Sequence, residues 1–202
     1  KAGAVNQDFL QYWDDNSNTP APTWQDQYNT TTANPISYIV EYPWVPNTYP
    51  VQWNGSEGGN SHWYEAVEVP GGITWTEAKT LAIARGGYLA TLTSEPENLW
   101  VFDNLAGKPE RWVVDGFGFN AGPFIGGFQD FNSPTYSEPA GGWAWVTGEN
   151  WSYANWAPGQ PNNAGAVNQD SLHFWTSNPN TPQPTWQDVQ SNNSAGNPIC
   201  FI

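Results

Sequence analysis

The chain has 202 residues, a formal net charge of −14, 12% charged residues and one cysteine. That charge disfavours nucleic acids and anionic membranes as partners, because both are bound through basic patches. No apolar run approaches the roughly 20 residues of a membrane span, and a single cysteine leaves no intrachain disulfide.

The length holds one ordinary domain plus extra material. The chain begins with a copy of its own end. Ala2-Gly3-Ala4-Val5-Asn6-Gln7-Asp8 recurs as Ala164-Gly165-Ala166-Val167-Asn168-Gln169-Asp170, and Thr23-Trp24-Gln25-Asp26 recurs as Thr185-Trp186-Gln187-Asp188. Residues 1–40 therefore read as a partial repeat that cannot bury its apolar face alone. Residues 41–60 read as a linker. Pro43, Pro46 and Pro50 favour a stiff extended connection, and Gly58-Gly59 adds a flexible end. The alternative is an edge strand, because Tyr42, Trp44, Val45, Tyr49, Val51 and Trp53 are apolar for an idle spacer.

Residues 61–202 read as the domain proper. Residues 62–69 and 124–127 have the pattern of short strands. Thr74 with Glu77, and Ser94 with Glu97, are capping-box signatures that start two helices, and Gly86 and Gly107 stop them. Ala78, Leu81 and Ala82 in the first helix, and Leu99, Phe102 and Leu105 in the second, recur at helical spacing. Residues 148–170 show little periodicity and much Asn, Gly and Pro, which predicts a long loop, commonly a functional one. Leu172-His173-Phe174-Trp175 reads as a strand in which His173 is a replaceable polar residue, since the repeat has Gln11 there.

Several motifs occur together and in order: Gly86-Gly87-Tyr88-Leu89-Ala90, Phe124-Ile125-Gly126-Gly127, Gly142-Trp143-Ala144-Trp145, Gln160-Pro161-Asn162, Trp186-Gln187-Asp188 and Asn197-Pro198-Ile199-Cys200. This series resembles the C-type lectin-like domain over residues 61–202. The resemblance implies an α+β fold, with two helices flanking short antiparallel sheets and a long loop that holds calcium and sugar. It implies calcium ligands at Gln160, Asn162, Gln169, Gln187 and Asp188. Only Asp188 among these is a carboxylate, and calcium affinity rises with ligand charge; Asp170 stands next to the set. The alternative is a polar loop that keeps the fold without the metal. Trp151 and Trp156 are candidates for sugar stacking, against the plainer role of core packing. Pro161 is commonly cis in calcium-binding relatives. Where animal members pair two cysteines, this chain has Cys200 but Ala82. In that it resembles bacterial, disulfide-free members, with Cys200 as a buried thiol.

No Ser/His/Asp or metal-hydrolase motif appears, and only two histidines are present. The chain is therefore expected to be non-enzymatic. Asn29, Asn54, Asn150 and Asn192 head Asn-x-Ser/Thr sequons and are candidate glycosylation sites. The terminal self-copy points to an extracellular structural or adhesive module. It would be a repeat or subunit of a surface fibre or large adhesin, with copies of itself as partners. The alternative is a calcium-dependent carbohydrate-binding lectin with glycans as partners.

Overall fold

A computed structural model describes residues 9–13, 23–27, 50–115, 117–164, 167–178, 180–192 and 198–202. The chain divides into two compact units, Lys1–Val45 and Pro46–Ile202. In the first unit, β1 (Phe9–Trp13) and β2 (Thr23–Gln27) form an antiparallel pair with Leu10 opposite Asp26, Gln11 opposite Gln25 and Tyr12 opposite Trp24. The rest of the copied segment, with Asn29, lies outside the described residues.

The second unit opens with β3 (Val51–Gln52), which pairs antiparallel with β4 (Trp63–Tyr64). Trp53 follows as a buried core residue, and its amide donates to the His62 carbonyl at 3.0 Å. From Pro50 onward, the described part of the 41–60 segment is thus packed into this unit as an edge strand and its turn. After β5 (Val67–Glu68) come α1 (Trp75–Ala84) and α2 (Glu95–Val101). There follow β6 (Val113–Val114), β7 (Asn120–Gln129), β8 (Trp143–Trp145), β9 (Ser171–Thr176), β10 (Trp186–Val189) and β11 (Cys200–Phe201). One seven-stranded sheet runs β10-β9-β7-β11-β5, with β6 and β8 also paired to β7. Within this sheet, among the described residues, the strand pair β11–β7 is parallel and the others are antiparallel. Two helices beside mixed sheets make this the expected α+β architecture.

The hairpin of β9 and β10 sets Leu172 opposite Asp188, His173 opposite Gln187 and Phe174 opposite Trp186. Residue for residue along the repeat, this is the register of β1 with β2.

Local chemistry explains the elements. At α1 the Glu77 amide donates to Thr74 Oγ1 at 3.2 Å and the Thr74 amide to Glu77 Oε2 at 2.9 Å, closing the box. The helix stops at Gly86, whose φ of 83° suits a residue without Cβ. Trp75, Ala78 and Ala82 face inward, whereas Leu81 is 43% exposed, so the buried stripe is narrower than expected.

At α2 only half of the second box forms. Ser94 Oγ accepts the Glu97 amide, but Glu97 Oε2 accepts the Thr93 amide at 2.7 Å rather than that of Ser94. The Glu97 carboxylate is buried and also takes the Tyr64 hydroxyl at 2.6 Å and Asn60 Nδ2 at 2.8 Å. A π-helical turn over Phe102–Ala106 then shifts the face, as an extra residue per turn must. Val101, Leu105 and Ala106 are buried and Leu99 is 40% exposed, a correction to the regular spacing.

The Gly126-Gly127 pair has a steric cause. A Cβ on Gly126 would lie 2.5 Å from the Leu89 carbonyl oxygen, and one on Gly127 would lie 2.8 Å from Leu172 Cδ1. β7 is buried along nearly all its length, and other chain segments press directly on its backbone. Cys200 is a free, buried thiol whose pKa burial pushes up to about 12, so it packs as a small apolar group.

Candidate functional site

The site builds from β10 outward. A stretch of the long loop runs parallel beside β10 at Trp156 and Trp186. The Ala157 amide donates to the Trp186 carbonyl at 2.9 Å and the Trp186 amide to the Asn155 carbonyl at 2.8 Å. Three side chains clasp this junction: Asn155 Nδ2 and Asn98 Nδ2 both donate to the Pro184 carbonyl, and Trp186 Nε1 donates to Asn98 Oδ1. Asn98 comes from α2, so the loop is tied to helix and sheet together.

The Gln160–Pro161 peptide is cis. Just beyond it the chain meets Asp188, which is fully buried. The Asn162 amide lies 3.1 Å from each carboxylate oxygen, and the Asn163 amide donates to Oδ2 at 2.6 Å. Burial raises the Asp188 pKa above the ordinary carboxylate value, and the two amides oppose that rise without cancelling it. Further bonds stiffen the loop. Asn162 Oδ1 and Gln169 Oε1 both accept the Ala164 amide, and Asn163 Oδ1 accepts the Gln169 amide.

Of the five residues the resemblance marks, Asn162, Gln169 and Asp188 are thus brought into one network. Gln160 adjoins it, with Oε1 buried and without a hydrogen-bond partner. Gln187 is not brought there. Successive strand residues point to opposite faces, and Gln187 lies opposite His173 on the other side of β10. Asp170 serves elsewhere, accepting the Ser191 amide and hydroxyl at 3.1 and 3.3 Å. Among the described residues, no group of three or more His, Cys, Asp or Glu side chains could hold a metal ion.

Trp151 and Trp156 are half-buried in an aromatic cluster. Trp151 lies 4.6 Å from Trp145 and 5.9 Å from Trp143, and Trp156 packs edge-on at 4.9 Å from Trp143. Their rings already serve each other as the floor of the loop. His173 is buried rather than a surface residue, 6.1 Å ring to ring from Phe124. Neither imidazole nitrogen makes a well-formed hydrogen bond, although Gln187 and the Gly122 backbone favour the charged form. Burial outweighs them and pushes the imidazole down to about 4. Asn54, Asn150 and Asn192 are exposed; Asn29 lies outside the described residues. The sequence pointed to neither Asn98 nor Asn163. Asn98 works through the distant Pro184 carbonyl and Trp186 indole, and Asn163 through its own main-chain amide, and no residue-type pattern announces either.

No family model matches the chain. A perlucin-like protein of Mytilus galloprovincialis is 32% identical over 132 residues, which cover 65% of this chain and 71% of that protein. Ladderlectin of Oncorhynchus mykiss is 26% identical over 121 residues, 60% of this chain and 53% of the relative, so the chain spans about half of its length. Among solved structures, the C-type carbohydrate-recognition domain of cow CD23 covers 69% of this chain and 88% of its own, at 17% identity and a TM-score of 0.47. The expectation of a fibre or adhesin subunit is overturned by these kinships, which are to a perlucin-like protein and to a protein named as a lectin. By its identity to the perlucin-like protein over more than two thirds of that protein's length, the chain belongs to the C-type lectin-like family.

Proposed function

We propose that the chain is a non-enzymatic, extracellular carbohydrate-binding lectin that uses the face of the long loop beside β10. The observation that carries this reading is the seating of the loop itself: it is clasped to α2 and β10 and anchored on Asp188, so its outward side chains are preorganised. Asn162 and Gln169 have their side-chain oxygens engaged within the loop. Their side-chain NH2 groups are left as donors for sugar hydroxyls. No described helix is long and apolar enough to cross a membrane. Exposed Asn54, Asn150 and Asn192 fit glycosylation in an extracellular setting.

Calcium, which the family resemblance implies, does not fit these residues. A hard cation needs six to eight oxygens. Here the one carboxylate is filled by two backbone amides, and Gln187 lies on the other face. The main-chain amides of Asn162 and Asn163 occupy the carboxylate oxygens that a metal would need, so glycan recognition falls to the loop's side-chain amides.

A glycan array with and without a chelator tests both statements. Retention of glycans with equal signal in both conditions is expected, as is an unchanged Tm on adding calcium. An array on which nothing is retained overturns the lectin reading. A calcium-dependent rise in Tm overturns the metal-free account, because only a ligand of the folded state raises it.

A further inference from the structure

We propose a second saccharide site, one that takes a neutral pyranose in the groove between β4, the end of α1 and the turn that follows it. The groove has a volume of about 390 Å³ and shares no lining residue with the long loop. It is within the size range of small-molecule sites, and it suits one or two sugar rings.

Three observations specify the occupant. First, the groove carries two of the chain's exposed aromatics. Trp63 is 65% exposed and Tyr88 50%, and both line it. Trp63 is the one exposed tryptophan among the described side chains, the others being buried or half-buried. An indole face left in water is a platform for the apolar C–H face of a pyranose.

Second, Arg85 and Glu65 stand in the same groove as a fork. Arg85 Nη2 donates to Glu65 Oε1 at 2.8 Å and Nε to Oε2 at 3.3 Å. This leaves Arg85 Nη1 with its donors and Glu65 with spare lone pairs, a donor–acceptor set that matches vicinal hydroxyls. Because the pair is internally compensated, it offers no net charge to attract an ionic ligand.

Third, the ion pair argues against an apolar protein surface as the occupant. Covering it with apolar groups would strip its water without replacement, which is costly. A polyol replaces those water contacts with its own hydroxyls.

The test is titration of ¹⁵N-labelled protein with methyl α-mannoside, methyl β-galactoside, lactose and cellobiose. The readout is the tryptophan indole cross-peaks, with Trp63 assigned from Trp63→Phe. Movement of the Trp63 peak with at least one sugar is expected, at a millimolar Kd. Trp63→Ala, followed through the backbone amide peaks of Glu65 and Arg85 because its own indole peak is gone, should weaken binding by about tenfold, the loss of one good stacking contact. Arg85→Lys should weaken it several-fold, because a lysine keeps the charge and loses the fork. Movement confined to Trp151 and Trp156 overturns the groove and leaves the loop reading standing. Movement of Trp63 that neither Trp63→Ala nor Arg85→Lys weakens overturns it too. A Trp63 response without any loop response supports the groove and counts against the loop.

Discussion

Asp188 and His173 sit on the two strands of one hairpin, on opposite faces, and both are buried. The protein treats them in opposite ways. Asp188 meets two backbone amides donated by the loop it anchors. His173 meets Phe124 and Gln187 and stays neutral by default. Burial alone therefore does not mark a working group. What separates the two faces is whether a distant segment has been brought in to meet the buried group. The face with Asp188 organises a loop, and the face with His173 fills a core.

The sharpest way to break this contrast is to remove the anchor. Asp188→Ala leaves the Asn162 and Asn163 amides without their acceptor and should cost about 2–4 kcal/mol in urea denaturation, the desolvation penalty of two orphaned donors. Asp188→Asn keeps one acceptor oxygen and should cost less. Equal stability of both variants and the parent would show that the loop is held without Asp188.

The next effect separates the faces by sign. The folded-state pKa of His173 is lowered to about 4, from 6.5. Its contribution to stability is therefore present above the unfolded value and lost as pH falls through the folded one. Between pH 6.5 and 4 the loss should approach about 3 kcal/mol, and His173→Gln should remove it. Asp115 is the one charged group with a direct electrostatic effect on this imidazole, and a minor one. The folded-state pKa of Asp188 is raised, so its share is present below the unfolded carboxylate value and lost as pH rises through the folded one. An Asp188→Asn chain should accordingly lose stability more steeply on acidification than the parent. Parallel pH curves for parent and His173→Gln would erase the distinction.

Glu97 sharpens the contrast from a third position. It is a buried carboxylate satisfied entirely by neighbours, like Asp188, but within the core at the start of α2. Tyr64→Phe removes one of its donors and should cost about 1 kcal/mol. It should leave glycan binding unaltered, whereas Asn162→Ala should reduce binding and lower stability by less than about 1 kcal/mol, through the exposed bond to the Ala164 amide. The smallest effect belongs to the surface. Arg85→Ala breaks an exposed ion pair and should change stability by less than about 1 kcal/mol.

How much of this was legible in the sequence follows the range of the interactions. The start and stop of α1 are local, and Thr74, Glu77 and Gly86 announce them. Failure of the second box at Glu97 depends on Tyr64, more than thirty residues away, and nothing near Ser94 signals it. Gln187 and Asp188 are adjacent in sequence but face apart in β10, which strand alternation dictates and residue type does not show. The anchoring of the loop escaped notice because its donors are main-chain amides, which every residue but proline carries. The register shared by the hairpins β1–β2 and β9–β10 shows the opposite limit: two related short sequences yield the same pairing in two settings.

The aromatic floor under the loop has an optical consequence. Trp143, Trp145, Trp151, Trp156 and Trp186 lie in a chain of ring contacts between 4.6 and 6.3 Å. At such distances their excited states couple, and the coupling gives circular dichroism a signed couplet that scattered indoles lack. Trp151 and Trp156 belong to the loop and the other three to the strands. The couplet therefore reports whether the loop is seated, without any added label, and its loss ahead of the sheet signal would time the loop's departure.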